Sequence, residues 1–223
     1  MTLLDPPAYN GVISFSLFGD NPRYCLGAIE NAKLASHIYP GWTVRFYFDE
    51  TVPFDIINTL CDLNVDLVMQ EKSKGLSGMF WRFLVADDDN YSRWIVRDAD
   101  SRLCQREREA VDQWIISGYT FHCMHDHPAH QMPILGGLFG GKRNNIVNFK
   151  EEIERWDGNG RYMDDEDFLE KIIWPKIKHK TLIHAGYESS LQFDCGLIMP
   201  FPSKRRNEEF VGATFIPKYE TSS

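Results

Sequence analysis

In the first half of the chain, short segments with the residue pattern of strands alternate with longer segments whose hydrophobic residues have helical spacing. Short runs rich in β-branched and aromatic residues predict strands at 11–18, 43–48, 65–69 and 93–97. The stretches between them show apolar residues at helical spacing and predict helices at 23–38, 53–63 and 79–86. Alternation of this kind predicts an α/β fold, with a mostly parallel central sheet flanked by helices.

The second half shows a weaker pattern of the same type. It predicts a helix at 105–116, a strand at 119–125, an apolar glycine-rich stretch at 134–141, helices at 146–156 and 164–178, and a short strand at 181–183. No internal repeat, linker or low-complexity run interrupts the chain. We therefore expect one domain over residues 1–223, with two halves at about 11–103 and 104–223.

Acidic residues outnumber basic ones, 32 to 24, which gives a formal net charge of −8. Such a chain is a poor electrostatic partner for nucleic acid or anionic lipid, so a phosphate-bearing ligand must meet local cations or a metal. The 5 cysteines are scattered without a CxxC pair, which favours reduced thiols. With no signal peptide and no transmembrane run, we expect a cytoplasmic protein.

Two acids directly follow the fourth predicted strand, at Asp98 and Asp100. In extended backbone, residues two apart point the same way, so both carboxylates face one spot. Carboxylates held this close repel each other unless a cation lies between them, and oxygen ligands suit Mg²⁺ or Mn²⁺. The alternative is a solvated turn. The strand before the acids is apolar, as buried strands are, and an arginine precedes the pair, which favours the metal over the turn.

The region around these acids resembles a known family. Residues 75–103, GLSGMFWRFLVADDDNYSRWIVRDADSRL, are similar to the core of GT-A-fold glycosyltransferases, in which the glycogenin-like group has an arginine on a helix before a DxD motif. Three further blocks follow in the family's order: 134–141 resembles its small-residue strand near the donor sugar, 165–169 its acidic helix start, and 182–186 its late histidine-containing segment. The chain also resembles small viral and capsule-locus glycosyltransferases.

The resemblance implies a set of metal ligands and diphosphate contacts. Asp100 and Asp98 would bind the ion, or Asp98 would hold the donor ribose, and His184 would be the third protein ligand. An imidazole ligand favours Mn²⁺ over Mg²⁺. Arg82 would reach the donor diphosphate or brace the acids. Lys204, within the basic run 203–206, either covers the diphosphate or is a solvated surface residue.

The resemblance also implies nucleoside contacts at two strand ends. Ser16 and Phe18, where the first strand ends, would approach the nucleotide base. Asp49, after the second strand, would contact the nucleoside. Any α/β sheet places polar residues at these positions, so these assignments are weaker than that of the two acids.

The acidic run Asp164–Asp167 supplies the catalytic candidates. Acids at a helix start also stabilise the helix through its dipole, and that could explain the whole run. Glu166 stands where the resembled group usually has glutamine, and it could act as general base or face the anomeric carbon. Asp165 is an equal candidate. Retention or inversion of the anomeric configuration stays open.

Four histidines crowd residues 122–130, at His122, His125, His127 and His130. Their spacing fits no closed zinc site, so structural or acceptor contacts are favoured over a metal.

The sequence thus predicts a metal-dependent glycosyltransferase that moves a sugar from a nucleotide-sugar donor to a hydroxyl acceptor. A UDP-sugar is favoured and a GDP-sugar is possible, and the acceptor would be a glycan or a lipid-linked saccharide. Two alternatives remain. One is a metal-dependent phosphoesterase or nucleotide-sugar hydrolase, which needs more metal ligands; the other is a binding module without turnover.

Overall fold

The computed structural model describes residues 10–143, 146–158, 160–186, 193–205 and 209–215. These residues form an eight-stranded sheet in the order β3-β2-β1-β4-β6-β5-β7-β8. The strands are β1 (Gly11–Leu17), β2 (Thr43–Phe48), β3 (Asp66–Met69), β4 (Arg93–Val96), β5 (Phe121–His125), β6 (Phe139–Lys142), β7 (Thr181–Ala185) and β8 (Leu197–Pro200). The α-helices are α1 (Pro22–Ile38), α2 (Phe54–Asp62), α3 (Gln105–Ile116), α4 (Phe149–Arg155), α5 (Asp164–Phe168) and α6 (Trp174–Ile177).

The sheet is parallel except at one strand. Strand β6 runs antiparallel to both of its neighbours, β4 and β5, and every other pair is parallel. The prediction of a single α/β domain with a mostly parallel central sheet is confirmed. Strand β8 was not predicted, because the part of the chain around it is rich in turn-forming residues.

Each face of the sheet carries its own apolar core. One core packs β1, β2 and β4 against α1, α2 and α3, with Ala28, Leu60 and Trp114 at its centre. The other packs the sheet against α4, α5, α6 and a 3₁₀ segment at Ser77–Asp87, and it is rich in aromatic rings such as Phe83. Helix α3 therefore lies on the opposite face from α5 and the 3₁₀ segment.

Two predicted helices take other forms. The segment predicted as a helix at 79–86 is the 3₁₀ segment. The predicted helix 164–178 is divided into α5, a π-helical turn at Leu169–Ile173 and α6, followed by a 3₁₀ turn at Lys178–Lys180. Pro175 explains the interruption, because it lacks the N–H that an α-helical ladder needs and its ring crowds the preceding turn.

No helix in the part of the chain that the structure describes is long and apolar enough to cross a membrane.

Candidate active site

A cleft of about 350 Å³ opens beyond the carboxyl ends of β1 and β4. Ser16 and Phe18 line it from the end of β1, and Asp98 and Asp100 line it from the loop after β4. Most of the remaining side chains come from the start of α1, the 3₁₀ segment, and the start of α5 with the turn before it; among them are Arg23, Tyr24, Arg82, Tyr162, Asp165 and Glu166. Most residues that the sequence singled out for the donor therefore lie around one space.

The two acids after β4 each pair with a different arginine. Asp98 accepts a hydrogen bond from Arg82 Nη1, and its side chain is 41% exposed. Asp100 Oδ2 lies 2.6 Å from Arg23 Nη2, and its side chain is 13% exposed. Burial, and after it the charge of the neighbouring Asp98, raise the pKa of Asp100.

Helix α1 holds the loop that carries these acids. The buried Asn31 amide donates to the carbonyls of Ala99 and Ser101, at 3.2 and 2.8 Å, and accepts from Leu103 N–H at 3.0 Å. A Cβ on Gly27 would stand 2.0 Å from the Ala99 carbonyl oxygen, so only glycine allows this approach. The loop conformation is thus fixed by backbone contacts that do not use the two carboxylates.

Arg82 is anchored from β1 and joins two acids. Ser14 Oγ donates to the Arg82 carbonyl at 2.8 Å, and Ser16 Oγ accepts from Arg82 N–H at 2.9 Å. The guanidinium, 10% exposed, binds Asp98 through Nη1 and Asp165 Oδ2 through Nη2 at 2.6 Å. Arg82 therefore braces the acid after β4 against the acid that begins α5.

Two glycines let this group of charges come together. A Cβ on Gly137 would lie 2.0 Å from Asp98 Oδ2, and one on Gly136 would lie 2.5 Å from Arg82 Nη2. Any larger residue at either position would push the charged groups apart. The small residues in the block at 134–141 thus have a definite steric role beside Asp98.

The two acids of α5 differ in their surroundings. Asp165 is buried and its Oδ2 is bound to Arg82, while Glu166 lines the cleft. Burial, followed by the charges of Asp165 and Asp98, raises the pKa of Glu166 to about 7. A carboxyl group with this pKa can both accept and donate a proton near neutral pH.

The chemistry of the donor set fits a divalent ion in part. No three His, Cys, Asp or Glu side chains capable of holding a metal come together within the described residues. Asp98 and Asp100 do face the same cleft, which has two more acids than arginines along its wall. Mg²⁺ and similar ions are often held by one or two carboxylates, with water and substrate phosphates completing the shell. The pair fits such an ion.

His184 is not placed to share a metal with these acids, so its expected role as third ligand is corrected. It is fully buried, its Nδ1 lies 2.7 Å from His122 Nε2, and its Nε2 lies 2.9 Å from Gln113 Oε1 on α3. Asp98 contacts Arg82 on the opposite face of the sheet. Without this imidazole, the argument for Mn²⁺ over Mg²⁺ loses its basis.

The other histidines have internal contacts. His122 stacks on Trp114 with 5.4 Å between ring centroids, and His127 stacks on Phe210 at 4.2 Å. His125 Nδ1 lies 3.0 Å from the His130 carbonyl oxygen. These contacts agree with the structural alternative.

Asp49 does not line the cleft and has no free carboxylate oxygen for a nucleoside. Its Oδ1 accepts from the N–H and hydroxyl of Thr51, and its Oδ2 accepts from Ser73 N–H at 2.8 Å. These bonds outweigh burial and lower the pKa of Asp49. Asp49 therefore connects the loop after β2 to the loop after β3.

Lys204 lines a second groove that shares only Thr214 with the cleft. The next residue of the basic run, Arg205, is 3.3 Å from the buried Asp126 Oδ1. Arg206 lies outside the described residues. The expectation that Lys204 covers the diphosphate is not supported by this placement.

Sequence reasoning missed Arg23, Tyr24 and Tyr162, which line the cleft. A signal for Arg23 was present: Asn21 and Pro22 form a helix start directly after β1, and a helix that starts there points its first turn at the cleft. Nothing local marks Tyr162, which stands in the turn before α5.

Solved structures share this fold. No family model matches the chain, and no curated protein resembles it in sequence. The mannosyltransferase PcManGT from Pyrobaculum calidifontis, solved with GDP-Man and Mn²⁺, is 13% identical with a TM-score of 0.51; the match covers 86% of this chain and 58% of that protein. Glucosyl-3-phosphoglycerate synthase from Mycobacterium tuberculosis, solved with Mn²⁺, UDP and glucosyl-3-phosphoglycerate, is 7% identical with a TM-score of 0.50, covering 89% and 72%.

A third structure, 4-diphosphocytidyl-2C-methyl-D-erythritol synthase from Anaerococcus prevotii, is 10% identical with a TM-score of 0.51 and covers 83% of this chain and 91% of its own. At these identities the likeness is one of fold. The chain has the α/β sheet of GT-A-type nucleotide-diphospho-sugar transferases, a fold that also serves other nucleotide chemistry.

Proposed function

We propose that the protein is a divalent-metal-dependent glycosyltransferase that moves a sugar from a nucleoside-diphosphate sugar to a hydroxyl group of an acceptor. One observation carries the proposal: Asp98, Asp100, Arg82, Asp165 and Glu166 converge in one cleft at the carboxyl end of a GT-A-type sheet. The glycosyltransferases of the same fold, solved with Mn²⁺ and UDP or GDP-Man, support it.

In this proposal, Asp98 and Asp100 hold Mg²⁺ or Mn²⁺ together with the donor diphosphate. The ion would supply charge neutralisation for the leaving diphosphate. Arg82 keeps Asp98 and Asp165 at a fixed separation, so these two acids do not have to move when the donor enters. Ser16 and Phe18, at the end of β1, border the nucleoside.

Glu166 is the group that we assign to the acceptor hydroxyl. Asp165, the other candidate, is committed to Arg82 by a 2.6 Å ion pair, whereas Glu166 lines the cleft with a pKa raised to about 7 by burial and by neighbouring acids. A carboxylate in that range can take a proton from a hydroxyl at neutral pH. The acceptor is a glycan or another hydroxyl compound.

A nucleotide panel tests the proposal. The chain is incubated with UDP, GDP and CDP, with and without Mn²⁺ or Mg²⁺, and its melting temperature is recorded. We expect one nucleoside diphosphate, UDP first and GDP second, to raise the melting temperature only when metal is present. The matching nucleotide-sugar should then release nucleoside diphosphate, at a rate abolished by EDTA. No metal-dependent shift with any nucleotide would refute the assignment.

The panel also separates the alternatives. Stabilisation by metal alone, with phosphate released from simple esters, would favour a phosphoesterase. CDP is included because the synthase from Anaerococcus prevotii has the same fold. Binding of a nucleotide-sugar without turnover on any hydroxyl acceptor would favour a binding module.

A further inference from the structure

We propose that Arg23 is a donor-diphosphate ligand, which leaves its ion pair with Asp100 when the donor binds and thereby couples donor binding to metal binding. The inference rests on the proposed function and extends it, since neither the sequence resemblance nor the comparisons assign a role to Arg23. It starts from the ion pair between Arg23 Nη2 and Asp100 Oδ2 at 2.6 Å, inside the cleft.

The start of α1 presents a side chain to the cleft instead of backbone amides. Arg23 N–H donates to Asn21 Oδ1 at 2.9 Å, and Tyr24 and Cys25 N–H both donate to the Asn21 carbonyl at 3.1 Å. Pro22 has no N–H. A helix start often binds phosphate through its first-turn amides, but here those amides are already satisfied. The Arg23 guanidinium is the group at this end of α1 that can meet an anion.

The two arginines of the cleft wall differ in their freedom to move. Arg82 is 10% exposed and joins two acids, Asp98 and Asp165. Arg23 is 30% exposed, its ion pair is with Asp100 alone, and its Nε is buried without a hydrogen-bond partner. The Nε of Arg82 is likewise buried without a hydrogen-bond partner among the described residues, so the difference lies elsewhere. Arg23 is the more exposed of the two cations and has one acid partner instead of two, which leaves it freer to rotate. A planar guanidinium binds phosphate oxygens through two parallel hydrogen bonds.

Because Arg23 is paired with Asp100, it competes with a metal ion for this carboxylate. A divalent ion at Asp100 would stand close to the guanidinium, and like charges at that distance repel. Arg23 therefore weakens the binding of metal alone. A diphosphate attracts the guanidinium away from Asp100 and leaves the carboxylate to the ion. Linkage requires that metal binding in turn favours the diphosphate.

A purely structural role for Arg23 is not needed by the loop. Asn31 already fixes this loop through three backbone hydrogen bonds, and Gly27 packs directly on it. Loss of the Arg23 side chain should therefore leave the loop conformation in place. Effects of an Arg23 variant on ligand binding then report on the ligands.

Calorimetry on the full chain tests the proposal, with Mn²⁺ alone, inorganic pyrophosphate, UDP and GDP as probes. In Arg23→Ala we expect affinity for Mn²⁺ alone to rise about threefold, and affinity for pyrophosphate and for the preferred nucleoside diphosphate to fall about tenfold. Arg23→Lys keeps the charge and loses the planar guanidinium, so its affinities should lie between those of the wild type and of Arg23→Ala. Arg155→Ala, which removes a surface arginine paired with Glu151, is the charge-matched control and should change neither affinity.

The outcomes separate the two proposals. A wild-type chain that binds neither UDP nor GDP with metal would overturn the proposed function, and the role of Arg23 with it. A wild-type chain that binds one of them, with unchanged affinity in Arg23→Ala, would overturn the role of Arg23 alone. Equal losses of metal and diphosphate affinity would make Arg23 a structural support and would also overturn the inference.

Discussion

Arg97 and Asp98 are neighbours in sequence, yet they belong to opposite faces of the sheet and to opposite kinds of surroundings. Arg97 binds Glu107 at 3.0 Å, and both side chains are at most 2% exposed. Asp98 is 41% exposed and lies beside Gly137 in an open cleft. The first face is closed and paired, and the second is open and has an excess of acid.

The contrast between Arg97 and Asp98 indicates that residue type alone does not identify a functional group in this chain. The closed face also contains His122 and His184, a buried histidine pair, and the Tyr39 hydroxyl, which donates to Glu107 at 2.9 Å. These groups are satisfied by one another. On the open face the acids retain unfavourable charge, seen in the raised pKa values of Asp100 and Glu166. Raised pKa values in a cleft are typical of functional sites, in agreement with the proposed function.

The largest effect should follow from breaking the closed face. Glu107→Ala leaves the Arg97 guanidinium buried without its partner, and removal of one member of a buried pair costs about 3–5 kcal/mol. We expect the melting temperature to fall by about 10 °C for a chain of this size. Glu154→Ala, at an exposed position of α4, is the control. A Glu107→Ala melting temperature equal to that of the control would contradict the comparison.

The open face should respond in the opposite way. Asp100→Asn removes a carboxylate from the cleft while its loop stays held by Asn31. We expect metal-dependent nucleotide affinity to fall at least about 100-fold, because even partners of metal ligands typically contribute 10–100-fold. The melting temperature without ligands should stay the same or rise, since a repelling charge is removed. Asp112→Asn, on the surface of α3, is the matched control.

Local pattern was sufficient to predict the order of strands and helices from β1 to α3. Hydrophobic periodicity is a property of consecutive residues, so it survives without knowledge of tertiary contacts. The parallel sheet predicted that Asp98 lies beyond a strand end, at the edge where ligands bind. The contact of Arg82 with Asp98 was implied only by the family resemblance, because Arg82 lies in the 3₁₀ segment and not at a strand end.

The errors concern long-range pairing. The side of the sheet that His184 faces depends on the parity of its position on β7, and a shift of one residue would reverse it. The Asp49 carboxylate accepts a hydrogen bond from Ser73 N–H in a loop distant in sequence. Asp100 forms its ion pair with Arg23, which lies in helix α1. None of these partners is visible from the residues around each site.

A smaller effect should come from crowding the open face without removing a charge. Gly137→Ala places a Cβ 2.0 Å from Asp98 Oδ2 and displaces that carboxylate. We expect metal-dependent nucleotide affinity to fall about tenfold, the size of effect seen when a ligand is misplaced. Gly118→Ala is the control, because a Cβ there meets nothing within 4 Å. If Gly137→Ala left the metal-dependent nucleotide affinity unchanged, Asp98 would not be a metal ligand.

The smallest effect is a difference in pH dependence between the two faces. Burial, with the nearby Arg106, lowers the pKa of His184 to about 4, whereas burial and neighbouring acids raise the pKa of Glu166 to about 7. Between pH 6.5 and 4 the unfolded chain protonates His184 before the folded chain does, so stability falls as pH falls. Between pH 7 and 4.5 the folded chain protonates Glu166 first, so stability rises as pH falls.

These two contributions oppose each other in the wild-type chain, and single variants should reveal them. On going from pH 7 to pH 5, His184→Gln should lose less unfolding free energy than the wild type, and Glu166→Gln should lose more. If the whole pKa shift acted on stability, each variant would differ from the wild type by about 2 kcal/mol in the change of its unfolding free energy. Because both groups are partly solvated, we expect about 1 kcal/mol. Urea unfolding at the two pH values measures the difference, with His37→Gln, at an exposed position of α1, as control. If the unfolding free energies of all three variants changed equally between pH 7 and pH 5, neither His184 nor Glu166 would contribute to the pH dependence, and the comparison of the two faces would be wrong.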